Sequence, residues 1–284
     1  MESWLEPNKK RILIISLVVV NILIWNFYFS IQDKKFHLKV YDVGQGDAIF
    51  IKSPKGFNIL IDGGPSQSVI GYLSKDISFY SRKIDLLILT HPQAGHMTGL
   101  LEVVKRYQIK TLWISAAKVD TRIYQDWIKL IEEKNINYRV VYQGEKTIFP
   151  DGTKVEILWP KKDMISDDIN SYSVVTLVSY GEFNALLAGD ADKPNQPYTS
   201  SENHVEVFKV PHHGSRASIN KSFVTTISPE VSIISVGKNM QYGHPNPQVI
   251  KFLEQTGSKV YRTDKNGTVE IVSDGKNWYT NPDK

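Results

Sequence analysis

Hydrophobic residues fall along this chain in three rhythms, and each rhythm predicts a different element. Between Ile12 and Phe29 they are almost continuous, broken only by Ser16, Asn21 and Asn26. Extended through Ser30 and Ile31, the run is long enough for one helix to cross a hydrocarbon layer of roughly 30 Å at about 1.5 Å per residue. Trp25 and Tyr28 lie toward its far end, where amphipathic rings favour the membrane interface. Lys9, Lys10 and Arg11 precede it directly. By the positive-inside rule, residues 1–11 are then cytoplasmic, residues 12–31 form a single-pass anchor in the cell membrane, and residues 36–284 lie outside the cytoplasm. Tyr28-Phe29-Ser30-Ile31-Gln32 offers no small-x-small cleavage site, so the anchor is expected to stay attached.

The second rhythm is short, β-branched and apolar. It predicts strands over Phe36 to Tyr41, Asp47 to Lys52, Asn58 to Ile61, Ile84 to Leu89, Thr111 to Ser115, Tyr138 to Tyr142 and Lys154 to Trp159. Further strands follow over Val207 to Val210, Val231 to Ser235, Val260 to Arg262 and Thr268 to Val272. Val174 to Tyr180 and Asn184 to Ala188 read as a hairpin about Gly181-Glu182. The third rhythm has helical spacing. It predicts helices from Ser68 to Ser74, Gly99 to Tyr107, Thr121 to Lys134 and Asn246 to Gln255, the last with Pro247 at its start. Lys193 to Ser201 is polar and Pro-rich and reads as a mobile loop. Hairpins mixed with strand-helix alternation in two halves predict an α/β domain, with two sheets face to face and helices outside. No sequence repeat of fixed period is present.

Composition narrows the chemistry. The 284-residue chain is 41% hydrophobic with a formal charge of +4. Without the first 35 residues the charge is about +2, so no global basic footprint marks a nucleic-acid protein, though a local patch stays open. There are no cysteines. Disulfides, thiolate zinc sites and cysteine nucleophiles are excluded.

Asp62, His91, His96, Asp190 and His212 each fall just after a strand-like run, where sheet-based folds hold ligands rigidly. Imidazole and carboxylate together suit Zn²⁺, Mn²⁺ or iron. Read singly, His91 and His96 serve equally as satisfied histidines at a helix start, and Asp62 and Asp190 as turn residues. His212-His213-Gly214-Ser215 is more telling, because no turn requires adjacent imidazoles.

These strings resemble a known family. Tyr41-Asp42-Val43-Gly44-Gln45-Gly46-Asp47-Ala48, Leu60-Ile61-Asp62-Gly63-Gly64, Leu89-Thr90-His91-Pro92, Leu187-Ala188-Gly189-Asp190, Lys209-Val210-Pro211-His212-His213-Gly214-Ser215, Tyr242-Gly243-His244-Pro245 and Tyr261-Arg262-Thr263-Asp264 are similar to the metallo-β-lactamase fold. Within it they resemble the hydrolase domain of ComEC-type DNA-uptake proteins, over roughly residues 36–273. The resemblance implies an αββα sandwich and a metal-activated water attacking a phosphodiester such as DNA, or another ester. Where relatives read His-Pro-His-Ala-Asp-His, this chain reads His91-Pro92-Gln93-Ala94-Gly95-His96. Two ligand positions match and two do not.

By that resemblance His91, His96, Asp190 and His212 are the expected metal ligands, holding at most one ion, Zn²⁺ or Mn²⁺, or none. Asp190, His96 and His244 are the expected catalytic residues. Asp62, His213, Ser215 and Arg216 are expected to orient ligands or meet substrate, and Asp47 to buttress its loop. Lys209, Arg216, Lys221 and Arg262 are candidates to meet phosphates. A second reading is a catalytically inactive relative that binds nucleic acid or a protein partner through the old cleft. A third is a hydrolase of small esters or lactams.

Overall fold

A computed structural model describes residues 5–30, 33–192, 204–238 and 243–284. The polar stretch 193–201, Tyr242, Ile31 and Gln32 lie outside the described residues. The chain divides into two units, Met1–Lys34 and Lys35–Lys284.

The first unit contains helix α1, Leu5–Ser30. Its apolar side chains from Ile12 to Trp25 are exposed. Among the described residues, no helix is long and apolar enough to cross a membrane. At ~1.5 Å per residue, Ile12 to Ser30 measures about 28 Å, just under a hydrocarbon core of roughly 30 Å. The helix expected from the sequence is therefore present, but the described part of it does not meet the length of the expected anchor.

The second unit opens on β1 (Phe36–Val40), β2 (Ile49–Lys52) and β3 (Asn58–Ile61), followed by α2 (Val69–Asp76), β4 (Lys83–Ile84) and β5 (Leu86–Leu89). Next come α3 (Ala94–Arg106), β6 (Gln108–Ile109), β7 (Leu112–Ile114), α4 (Arg122–Glu133) and β8 (Tyr138–Val140). The second half holds β9 (Lys146–Ile148), β10 (Lys154–Trp159), β11 (Val175–Tyr180), β12 (Phe183–Leu187) and β13 (Val207–Lys209). It closes with α5 (Lys221–Ile227), β14 (Val231–Ile234), α6 (Pro247–Gln255), β15 (Lys259–Arg262), α7 (Thr263–Asn266), β16 (Val269–Ser273) and β17 (Trp278–Pro282).

One sheet runs β17-β16-β1-β2-β3-β5-β7-β8 and the other β15-β14-β13-β12-β11-β10-β9. The two pack face to face through Phe36, Leu38, Val40, Ile88, Val155, Val178, Phe183 and Ile233. The outer face of the first sheet is covered by α2, α3 and α4 through Leu73, Leu100, Val103, Trp127 and Ile131. The outer face of the second is covered by α5 and α6 through Val224, Ile227, Val249 and Leu253. This is the αββα sandwich. It explains why β3 and β5 are buried at every position: both of their faces are covered. Helix starts follow ordinary capping chemistry, with Thr121, Asn220 and Asn246 accepting from backbone amides of α4, α5 and α6.

The expected strand Ile84 to Leu89 is split at Asp85, which turns inward to accept from the Asn58 amide at 3.1 Å. β4 then pairs with β6 in a separate two-stranded sheet. Strand β9 and helix α5 carry too little periodicity to be read from sequence.

On β1 the alternation leaves His37 and Lys39 facing outward, Lys39 directly opposite Glu270 on β16 and His37 diagonal to it. His37 Nδ1 lies 3.0 Å and Lys39 Nζ 3.4 Å from Glu270 Oε1. The hydrogen bond from His37 and the Lys39 charge outweigh partial burial and bring the Glu270 carboxyl down to about 2. A depressed carboxylate stabilises the fold above its unfolded pKa of roughly 4.3 and loses that contribution as pH falls toward 2. Glu270→Gln is expected to cost about 1 kcal/mol at pH 7 after allowance for solvent screening. Urea melts of both proteins should converge only near pH ~2 and below.

Candidate metal centre

The candidate residues gather where β3, β5, β12 and β13 end. Asp62 follows β3 in a left-handed conformation (φ 60°), an uncommon choice for a residue other than glycine. That conformation turns its fully buried carboxylate under the next strand end. Oδ1 accepts from the Thr90 amide at 2.8 Å and Oδ2 from the Thr90 hydroxyl at 2.6 Å. Oδ2 also accepts from His96 Nδ1 at 2.7 Å. With its proton committed to Asp62, Thr90 Oγ1 accepts from His91 Nδ1 at 3.0 Å. Asp62 therefore fixes both imidazoles, His96 directly and His91 through Thr90. Both Nε2 atoms are left facing the site, the arrangement that carboxylate partners give to metal-binding histidines.

Asp190 is the meeting point. Its Oδ2 lies 3.3 Å from His96 Nε2, 3.9 Å from His91 Nε2 and 3.6 Å from His213 Nε2. Ser173 Oγ holds the Asp190 amide at 3.2 Å. Burial works against charge at all four residues. At His96 the Asp190 and Asp62 carboxylates outweigh burial and hold the imidazole well above its usual range. Asp190 is likewise held well below the usual carboxylate range, its burial overcome by His213 and His96. Burial, then the neighbouring His96, pushes His91 well down, and burial lowers His213.

The donor set fits one divalent ion. His91 Nε2, His96 Nε2 and Asp190 Oδ1 are buried and make no hydrogen bond. His91, His96 and Asp190 each bring a ligand atom within 4.8 Å of the others. Donors roughly 2.1 Å from a tetrahedral ion sit about 3.4 Å apart, close to the separations around Asp190.

His212, expected as the ligand beside Asp190, is not the residue that reaches it. Lys209 ends β13, and beyond it His212 and His213 both take positive φ, 48° and 51°. This strained turn reverses the side-chain directions expected from strand continuation. It delivers His213, whose Nδ1 donates to Ser235 O at 2.9 Å and leaves Nε2 toward Asp190. His212 instead bonds Asp192 Oδ1 through Nδ1 at 3.1 Å, and its ring lies 5.6 Å from His244. That bond raises His212 above its usual range, while burial and His212 lower His244.

A cleft of about 230 Å³ opens here, lined by Gln45, Gln93, Gly95, His96, Asp190, His212, His213 and His244. Ser215 is buried and Arg216 exposed, and neither lines the cleft. Arg262 is paired with Asp264, Lys221 lies over the Phe252 ring and Lys209 is fully buried, so these three are not presented to a phosphate in the cleft. Gln93 lines the cleft, its amide donating to Asn170 Oδ1 at 2.7 Å while its side chain also reaches His91. Sequence reasoning passed over Thr90, Asn170 and Ser235. It reads Asp47 only as a loop buttress and Lys209 only as a candidate to meet phosphate, whereas the two pair with each other.

Residues 41–238 match the family model of the metallo-beta-lactamase superfamily. The chain belongs to the metallo-beta-lactamase superfamily. Among curated relatives, ComE operon protein 3 of Bacillus subtilis is 27% identical over 264 residues, 86% of this chain and 34% of the relative. Recombination protein 2 of Haemophilus influenzae is 29% identical over 236 residues, 81% of this chain and 28% of the relative. The chain thus spans about a third of the length of these relatives. Among solved structures, the metallo-beta-lactamase fold protein YhfI of Bacillus subtilis superposes with a TM-score of 0.58 at 12% identity, covering 84% of this chain and all of that one. The sandwich and its strand-end cluster are those of the superfamily, and so is a His/Asp donor set for a divalent metal.

Proposed function

We propose that the domain is a metal-dependent phosphodiester hydrolase that works with a single ion, in a site reduced by Gln93 and Gly95. The observation that carries this reading is the convergence of His91 Nε2, His96 Nε2 and the Asp190 carboxylate in one buried place. His91, His96, Asp190 and His213 would hold the ion, Mn²⁺ or Zn²⁺. When bound, it would supply a Lewis acid and a water acidified toward neutrality. Asp62 and Thr90 keep the two imidazoles in the tautomer that offers Nε2. At the mouth, His212 is held toward its protonated form by Asp192, so it can give a proton to a leaving oxygen from Nε2. His244, held toward its neutral form, is suited to accept one. The word recombination in the name of the Haemophilus relative favours DNA as the phosphodiester.

Purified protein should retain one equivalent of metal by elemental analysis and cleave bis(p-nitrophenyl) phosphate or single-stranded DNA with Mn²⁺. Metal-free protein that stays inert with added Mn²⁺ would sink the hydrolase. The Gln93–Asn170 pair and the missing side chain at Gly95 favour the second reading, an inactive relative that binds nucleic acid. That reading expects DNA retention in a filter assay without turnover. The exposed apolar face of α1, with Lys9-Lys10-Arg11 before it, supports attachment to a membrane. Extraction by carbonate at pH about 11 separates insertion from loose adsorption.

A further inference from the structure

The centre holds a cation of its own. Lys209 ends β13 between two parallel neighbours and exposes no surface. Its ammonium pairs with Asp47 Oδ2, donates to Gly189 O at 3.1 Å and lies 4.0 Å from Asp190 Oδ1. Asp47 is 1% exposed and touches the cluster from the other side, with Oδ1 3.8 Å from His213 Nδ1 and Oδ2 4.0 Å from His96 Nδ1. Its amide donates to Gly95 O at 3.3 Å. The Lys209–Asp47 pair therefore abuts the glycine that leaves the cleft without a carboxylate.

Burying an ammonium costs several kcal/mol unless its surroundings compensate it. Here three carboxylates, Asp47, Asp62 and Asp190, share a buried space with one ammonium, and an imidazole that ligates an ion does so as the neutral base. One divalent ion brings that charge to zero. A second leaves a surplus of two positive charges in a region shielded from water, where like charges repel strongly. We propose that Lys209 is an internal counter-cation that limits this centre to one divalent ion, acting through Asp47 and Asp190 as a positioning residue. The proposal rests on the single-ion reading given above.

The test is Mn²⁺ content by elemental analysis after gel filtration of the full chain, together with thermal melting at increasing Mn²⁺. Wild type and Lys209→Arg should each hold one ion, and Lys209→Met two, with Mn²⁺ raising its melting temperature more than that of wild type. Two ions in wild type, or one in a folded Lys209→Met protein, overturn the internal cation while leaving a metal centre in place. No ion in any of the three overturns the hydrolase reading along with it. Should Lys209→Met fail to fold, Asp47→Asn serves instead. It leaves the ammonium to compete for Asp190, and Mn²⁺ affinity should fall at least ~10-fold, as for loss of an outer partner of a metal ligand. A purely structural role would lower the melting temperature and leave that affinity unchanged, which would also overturn the proposal.

Discussion

Asp190→Asn is expected to give a folded protein that no longer retains metal. His91, His96 and His213 all face one oxygen of this carboxylate, at 3.9, 3.3 and 3.6 Å. Asparagine keeps the shape but removes the charge and replaces one oxygen by a group that cannot ligate. Loss of an outer partner costs ~10–100-fold in metal affinity, so loss of the shared ligand should exceed ~100-fold. Elemental analysis should fall from one equivalent to a trace, and Mn²⁺-dependent phosphodiester cleavage to background. Circular dichroism separates this from unfolding. A folded variant that holds stoichiometric metal would show that the cluster is not the metal centre.

The second large effect lies outside the cleft. Gly99→Ala on α3 is expected to destabilise the domain by about 3 kcal/mol, at the upper end for overpacking. A Cβ at Gly99 would stand 2.0 Å from Gly63 O and 2.6 Å from Ser66 O, both backbone atoms that cannot step aside. Alanine's advantage in helix propensity, about 1 kcal/mol, is too small to offset this. The same strain would push α3 away from the loop after β3. That loop carries Asp62, and its Gly63 amide donates to His96 O at 2.7 Å. A drop in melting temperature of roughly 6–12 °C for a domain of this size, with weakened metal retention, is the expected result. An unchanged melting curve would mean that the loop yields easily.

Much of this architecture could be read from the residues. Alternating and continuous apolar runs placed nearly every long strand, and His91, His96 and Asp190 were marked by their positions after strands. Other features were hidden for identifiable reasons. Helix α3 begins at Ala94 rather than Gly99, because Gln93 stands at its N-cap position without a side-chain cap bond and Gly95 breaks the apolar pattern. The choice between His212 and His213 turned on two positive φ angles that adjacent identical residues cannot reveal. Lys209 looked like a surface cation because lysine is rarely buried without a partner, and that partner is 162 positions away.

The pairing of β1 with β16 has a kinetic meaning. Phe36 meets Ser273 and Val40 meets Val269, so the second and third strands of the larger sheet come from opposite ends of the domain. During synthesis β1 emerges long before β16 and waits, with one ladder edge open, until Val269–Ser273 has left the ribosome. Closure over so long a loop is slow, and an unsatisfied edge in the meantime invites pairing with other nascent chains. The outward His37 and Lys39 on that edge give the newborn strand polar groups that discourage such encounters.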